Sequence, residues 1–309
     1  MRRRQAFRTC GDDSLPREYA LGSVLQEGFD RLRHVTDMPR LEAEVLLSSV
    51  AGLSRAALLA HPERCLRPDQ MERYGEKVAL RAEGHPLPYL VGQVEFYGLE
   101  FSVTPDVLIP RPETETLVDL ALARRPGAVV DVGTGSGCIA VALAVHLPGA
   151  QIYATDLSAS ALRVAAVNAR RHGVADRIRL IQCDLVGGLR GPVDLVVSNP
   201  PYVAISEWAS LPRSVRCYEP RLALDGGRDG LEVVRRLLAC APGVLGRAEP
   251  APSLGLWRGE GTLLMELGAS GGGAVSLASS LLPGARIAVH PDLAGRDRVL
   301  EVVPRTLPR

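Results

Sequence analysis

Val129-Val-Asp-Val-Gly-Thr-Gly-Ser-Gly-Cys-Ile-Ala140 is the stretch that decides the fold. Its first four residues are apolar apart from one acid, Asp131, and an apolar run resumes at Cys138. Between them Gly133, Gly135 and Gly137 alternate with Thr134 and Ser136. Glycine accepts positive φ and lets a ligand come close to the backbone. The first turn of a helix also leaves N–H groups without intrahelical partners. The stretch therefore predicts a strand, a ligand-binding turn and a helix.

The same alternation continues outward. Residues 150–156, 177–184, 193–199 and 261–268 read as short strands, and 285–303 as a final pair. Residues 136–148, 158–174 and 229–245 carry helical apolar spacing. Strands alternating with helices imply an α/β fold, a mostly parallel sheet covered on both faces. Right-handed crossovers then bring every strand's carboxyl end to one edge, where ligands bind.

Upstream, residues 17–84 are patterned as four helices with no polar cluster suited to chemistry. Residues 1–84 are thus expected to form a small helical domain that positions a partner. Residues 85–110 read as a linker containing a hairpin around Gly98-Leu99, and residues 111–309 as the α/β domain. Residues 245–260, rich in Pro, Gly and Ala, read as a surface loop.

Composition narrows the classes. The chain has 309 residues, 46% hydrophobic and 23% charged, with net charge +1. Neutrality gives no electrostatic footprint for nucleic acid, so no direct nucleic-acid binding is expected. Lys77 is the only lysine, so arginine richness by itself argues little. The six cysteines lack the close pairing of a zinc or redox site and are read mostly as free thiols of a reducing compartment. The histidines are scattered, so no metal is expected. The basic start has no apolar run behind it, and no membrane-length stretch occurs; a cytoplasmic monomer is expected.

The chemistry follows from what the strand ends carry. Asp156 ends the second strand, 23 residues after Gly133, near the spacing of a carboxylate that grips a ribose diol. Asp131 precedes the glycine loop, poorly placed for a pyrophosphate but well placed for an ammonium. That favours S-adenosyl-L-methionine over a dinucleotide. Asp184, ending the third strand, reads equally as a contact near an adenine edge or as a helix cap. The fourth strand leaves through Ser198-Asn199-Pro200-Pro201-Tyr202. Two prolines make a stiff corner. The Asn199 side-chain carbonyl and the Pro200 carbonyl can each accept one N–H of a planar amine, and the Tyr202 ring can cover it. Arg111 and Glu113 read as an interdomain salt bridge in preference to a pocket mouth. Arg228 and Asp229 read as a structured turn in preference to a substrate contact.

These motifs resemble the HemK/PrmC family, the glutamine-N5 methyltransferases of peptide chain release factors. The resemblance rests on residues 87–115 with "PRPETE", on 131–137, on "SNPPY", on "YEPRLALDGGRDGL" at 218–231, on "LLMELG" at 263–268 and on "PDLAGRDRV" at 291–299. It implies a Rossmann-like class I methyltransferase sheet with a small N-terminal helical domain. The substrate it implies is the glutamine of the Gly-Gly-Gln motif in class I release factors. The cofactor would be S-adenosyl-L-methionine, leaving as S-adenosyl-L-homocysteine. By resemblance, cofactor contacts fall on Asp131, Gly133, Thr134, Gly135, Ser136, Gly137, Asp156, Asp184, Leu185 and Asn199. Substrate contacts fall on Asn199, Pro200, Pro201 and Tyr202, with Asn199, Pro200 and Tyr202 carrying catalysis. Many relatives have an aromatic residue where Leu185 stands. The rival enzyme is an adenine-N6 nucleic-acid methyltransferase, which would flip a base into the same pocket. A noncatalytic release-factor scaffold is disfavoured by the intact glycine loop and Asn199.

Overall fold

A computed structural model of the chain describes residues 17–189, 192–245, 261–268 and 271–303. The basic start and most of the 245–260 stretch lie outside the described residues. The chain divides into two compact units. One runs to Gly92 and also takes in Arg213–Tyr218; the other holds Gln93–Pro212 and the chain from Glu219 onward.

The first unit is helical: α1 (Leu21–Leu32), α2 (Pro39–Ala51), α3 (Arg55–Ala60), α4 (Pro68–Ala82) and α5 (Leu87–Val91). Leu21, Val24, Leu25, Gly28 and Leu32 form the buried stripe of α1 at helical spacing. They pack with Leu46, Leu47 and Val50 of α2 and with Tyr74 and Val78 of α4. Gly28 permits the close approach of α4, since a Cβ there would lie 1.9 Å from the Tyr74 hydroxyl. Arg81 pairs with Glu42 at 2.6 Å, and Arg40 and Arg55 with Glu44, so the buried acids of α2 are matched. Residues 87–91, which the prolines mark as extended, form a helix instead: Pro88 falls in the first turn, where no N–H is needed, and Gly92 closes it at φ 84.

The second unit opens with the hairpin β1 (Gln93–Phe96) and β2 (Leu99–Ser102). Its turn is Tyr97-Gly98, one residue earlier than the sequence suggests, with φ of 54° and 70°. Two successive positive φ values match the twist of paired strands. Then come α6 (Glu115–Ala123), β3 (Ala128–Val132), α7 (Cys138–His146), β4 (Gln151–Asp156), α8 (Ala159–Arg171), β5 (Ile178–Gln182) and β6 (Leu195–Ser198). After α9 (Arg213–Tyr218), which belongs to the first unit, follow α10 (Glu232–Cys240), β7 (Thr262–Glu266), α11 (Gly271–Leu281), β8 (Arg286–Pro291) and β9 (Asp297–Val303).

Seven strands form one sheet in the order β5-β4-β3-β6-β7-β9-β8. β3, β4, β5, β6 and β7 pair in parallel, whereas β9 runs antiparallel to β7 and β8. β9 is thus an exception to the expectation that every strand ends at one edge: the short β8–β9 connection is a hairpin, not a crossover. Every residue of β6 and β7 is buried, as a sheet covered on both faces requires. α7 matches that setting, with Cys138 through Ala144 all buried. Cys138, Cys183, Cys217 and Cys240 are free thiols, in line with the reading of most cysteines as free, and Cys65 is disulfide-bonded.

Asn168 of α8 ties three pieces together. It is fully buried. Its Oδ1 accepts from the Ser102 N–H at 2.8 Å, and its Nδ2 donates to the Ser102 carbonyl at 3.0 Å and the Ser136 carbonyl at 2.8 Å. Hairpin and glycine loop are therefore pinned to one helix. Asn168→Ala removes all three bonds and leaves the buried Ser136 carbonyl and the half-buried Ser102 backbone without them, so we expect a loss of about 3 kcal/mol in urea unfolding.

Candidate active site

β4 lies on one side of β3 and β6 on the other, so the chain reverses its winding direction between β3 and β6. At such a switch point the loops leaving neighbouring strands diverge and open a crevice. A cavity of about 750 Å3 lies there. It is lined by Gly133, Thr134, Gly135 and Ser136 after β3, Thr155 through Ser158 at the end of β4, and Cys183, Asp184 and Leu185 after β5. Ser198, Asn199, Pro200 and Pro201 line it after β6, and Arg111 and Thr114 before α6.

The glycine loop is held from below. Asp131 is completely buried; its Oδ2 accepts from Thr134 Oγ1 at 2.6 Å and from the Ala140 N–H at 3.2 Å, while its Oδ1 has no partner. Burial pushes its carboxyl up to about 7 despite those two bonds. Asp131 is not among the residues lining the cavity; it supports the loop that is. Gly133 and Gly135 hold φ of 72° and 56°, and a Cβ on either would meet nothing within 4 Å, so the space above them is open. Gly137 differs: a Cβ there would press on Ala165 at 3.0 Å, so it serves the packing of α7 on α8.

Asp156 closes the loop from the side. Its Oδ2 accepts from the Gly135 N–H at 2.9 Å and its Oδ1 from the Ser158 N–H at 2.8 Å. Each oxygen keeps a second lone pair. Leu157 beside it lines the cavity and is 54% exposed, a residue the sequence reading passed over. Asp184 is exposed at the cavity rim and paired with Arg236 of α10. Leu185 follows with φ 49°, an uncommon value for a residue that is not glycine.

Asn199 Nδ2 donates to Thr114 Oγ1 at 3.2 Å, and Thr114 Oγ1 donates to Glu266 Oε2 at 2.6 Å. Thr114 and Glu266 are buried, and burial raises the Glu266 carboxyl to about 7. Sequence reading missed both; "PETE" and "LLMELG" were visible as motifs, but not that they meet. The half-buried Tyr202 ring packs on Gly268, where a Cβ would lie 2.4 Å from it, and it is not among the cavity-lining residues. Burial pushes its hydroxyl up to about 12. The Tyr202 carbonyl sits against Gly230, where a Cβ would be 2.6 Å away and φ is 74°. Val203 and Ile205 donate to the Leu224 and Gly227 carbonyls, and Gly226 donates back to the Val203 carbonyl. The "GGRDG" stretch therefore braces the asparagine-proline corner through its backbone. Asp229 accepts from the Leu231 N–H and pairs with Arg235. Arg111 pairs with the buried Glu219, which also accepts from the Ile109 N–H at 3.2 Å.

A switch-point crevice with a glycine loop, an acid after the second strand and an Asn-Pro-Pro-Tyr corner marks the class: a methyltransferase of Rossmann-like fold. Residues 112–211 match the methyltransferase small domain and residues 23–92 the PrmC N-terminal domain. The chain is 46% identical to the release factor glutamine methyltransferase of Moorella thermoacetica, over 85% of this chain and 90% of that one. It is 42% identical to the protein so named in Nitratidesulfovibrio vulgaris, over 91% and 94%. The chain belongs to the release factor glutamine methyltransferase family. In fold it resembles the hMettl16 catalytic domain solved in complex with a MAT2A 3'UTR hairpin, at TM-score 0.51 and 18% identity over 76% of this chain and 81% of that one.

The raised Glu266 carboxyl makes stability depend on pH. Unfolded, this group ionises near 4.5; folded, near 7. The folded state is therefore favoured below about 4.5, and that contribution is lost as pH rises through about 7. Glu266→Gln keeps an acceptor for Thr114 but cannot ionise. We expect urea unfolding to show the variant gaining up to about 3 kcal/mol on the wild type between pH 4.5 and pH 8.

Proposed function

We propose that this protein methylates the side-chain amide N5 of the glutamine in the Gly-Gly-Gln motif of class I peptide chain release factors. The cofactor is S-adenosyl-L-methionine, and S-adenosyl-L-homocysteine is the product. The cavity suits that cofactor. Its volume falls in the range of small-molecule sites. The open space above Gly133 and Gly135 would receive the amino-acid end, with Thr134 and Ser136 shaping the loop and Gly137 seating the helix behind it. Asp131 holds the loop from beneath through Thr134 and the Ala140 N–H; Asp156 would take the ribose hydroxyls, and Leu157 and Leu185 the flat base, with Asp184 at its edge.

When bound, the cofactor supplies an electrophilic methyl group on a sulfonium. The chain's own part is to place the glutamine nitrogen in line with it. Asn199 Oδ1 and the Pro200 carbonyl each accept one N–H, which turns the nitrogen toward the methyl and stabilises the positive charge that grows there. Pro201 keeps the corner stiff, and Tyr202 stiffens it from behind through its packing on Gly268. The methyl group would pass from the bound cofactor to the nitrogen so aligned, and the nitrogen's surplus proton would then leave to water. No histidine among the described residues lines the cavity; of its carboxylates, Asp156 is held by the Gly135 and Ser158 N–H groups, Asp184 by Arg236, Asp225 by Arg221 and the Gly227 N–H, and Asp106 by Thr104, with Glu232 the fifth. In this reading the site works chiefly by alignment, since the sulfonium drives the transfer.

The observation that carries this reading is the Asn199 carboxamide: its N–H side is engaged by Thr114, and its carbonyl accepts no hydrogen bond among the described residues. The helical unit offers the surface that grips the protein substrate. The positioning domain is this unit, through Gly92 and with Arg213–Tyr218, and the hairpin expected in an 85–110 link belongs to the catalytic unit. No described helix is long and apolar enough to cross a membrane. We place the protein in the cytoplasm, as a monomer that does not bind nucleic acid directly.

The deciding experiment is transfer of a labelled methyl group from S-adenosyl-L-methionine to purified release factor and, separately, to DNA. Label in the release factor alone supports the proposal; label in DNA alone overturns it in favour of an adenine-N6 enzyme. Asn199→Ala should bind the cofactor yet methylate release factor on the order of a hundredfold more slowly in single turnover. Asn199→Asp should be similarly impaired, because a charge would have to be desolvated beside the substrate.

A further inference from the structure

We propose that Thr114 and Glu266 are positioning residues that set the polarity of the Asn199 carboxamide, forcing its carbonyl rather than its amino end toward the substrate. The inference rests on the methyl-transfer reading above and adds to it a requirement that neither "PETE" nor "LLMELG" discloses alone.

A carboxamide is nearly symmetric in shape and opposite in chemistry at its two ends. Turned over, Asn199 would present N–H groups to the N–H groups of a glutamine amide, and nothing would be accepted. Something must make one orientation preferred before the substrate arrives. A hydroxyl alone does not, since it can donate to Oδ1 or accept from Nδ2 with equal ease.

The arrangement removes that freedom. Thr114 has one hydroxyl proton, and it is donated to Glu266 Oε2 at 2.6 Å. Above about pH 7, where Glu266 is ionised, its carboxylate only accepts, so it draws that proton away from Asn199. The Thr114 oxygen then has only lone pairs left, and the Asn199 group that fits them is Nδ2, at 3.2 Å. A reversed carboxamide would set two acceptors against each other in a buried place, which is costly. Glu266 and Thr114 are 1% and 2% exposed, so water cannot readily replace either bond. Glu266 ends β7, next to β6, whose own end leads into Asn199; the strand pairing itself sets the reach. Charge on Glu266 thus has a use that explains a buried acid in a strand which apolar residues would fill more stably.

Two conservative substitutions separate the parts. Thr114→Val keeps the shape and removes the hydroxyl; Glu266→Met keeps the volume and frees the Thr114 proton to turn toward Asn199. Thr114→Ser restores the chain of bonds. Activity is read as the single-turnover rate on release factor at saturating cofactor, alongside the cofactor Kd from calorimetry. A second readout needs no turnover. Asn168 and Asn199 are the two asparagines in the sequence. Protein labelled with 15N-asparagine therefore gives two side-chain amide signals, and Asn199→Ala identifies which is which.

We expect Thr114→Val and Glu266→Met to lose about tenfold or more in rate, the scale of one hydrogen bond in a charged network. Cofactor Kd should stay within about threefold, and Thr114→Ser should return within about threefold of the wild-type rate. The Asn199 amide protons should exchange slowly with water in the wild type and in Thr114→Ser, and markedly faster in Thr114→Val. Wild-type rates in Thr114→Val and Glu266→Met, with Asn199→Ala impaired, would overturn the polarity relay and leave the methyl-transfer reading standing. A wild-type rate in Asn199→Ala would overturn that reading and the relay with it. Should Thr114→Val fail to fold, Glu266→Met against Thr114→Ser makes the same decision, since exchanging a buried acid for an apolar residue of like volume is commonly tolerated.

Discussion

A carboxylate with no exposure to water sits at the end of β3, and the site is arranged around keeping it there. Asp131 is surrounded by apolar strand and helix, an expensive place for a charge. Two bonds offset part of that cost, one from Thr134 in the loop and one from the Ala140 N–H in the first turn of α7. The same two bonds dictate the loop's path. The chain must turn back over the acid within a few residues, which requires positive φ at Gly133, Gly135 and Gly137. The turn then leaves Gly135 N–H directed at Asp156 and the Gly133 face open. A cofactor cradle is what remains once the buried acid has been accommodated.

Glu266 at the end of β7 repeats the theme on the far side of β6. Two buried acids, both ionising near 7, flank the strand that delivers Asn199. One is bonded to the glycine loop through Thr134, the other to Thr114. Both are held by a threonine hydroxyl, at 2.6 Å in each case. The crevice between β3 and β6 is therefore framed on both sides by a buried acid whose ionisation burial opposes, each anchored by a threonine. Such anchoring suits a reaction in which alignment matters more than proton abstraction.

How much of this was legible in the sequence depended on how local each device was. The glycine loop could be read because positive φ selects glycine at alternate positions. The strands could be read because burial on both faces makes apolar runs, and Asp156 because it follows one of them. The Asn199 corner announced itself through two prolines. The Thr114–Glu266 bond could not be read, because it joins residues 152 apart. Asn168 looked like an ordinary helix residue because its partners lie on β2 and in the glycine loop. Tyr202 was expected over the substrate, but Gly268 leaves a gap on β7's side that its ring fills. Asp131 was expected at the ligand, yet a strand-end side chain can point beneath the loop as well as into it. The reversed β9 and the short α5 were hidden for a related reason: pairing direction and helix capping are decided by neighbours that local pattern does not reveal.

The helical unit is closed by residues from much later in the chain. Within it His85 stacks on Tyr218 at 3.9 Å between ring centres, and the Tyr218 hydroxyl donates to the Glu83 carbonyl. Arg213–Tyr218 is thus a piece of the first unit carried inside the coding stretch of the second. Such an arrangement resists modular exchange. A recombination event that swapped the first ninety or so residues for those of another protein would leave behind a short helix evolved to fit a unit no longer present. Inheritance by fusion or shuffling would need two coordinated breaks and would rarely find them. Exchange of the helical unit would therefore have to carry the Arg213–Tyr218 helix with it, whereas substitution within the unit would not.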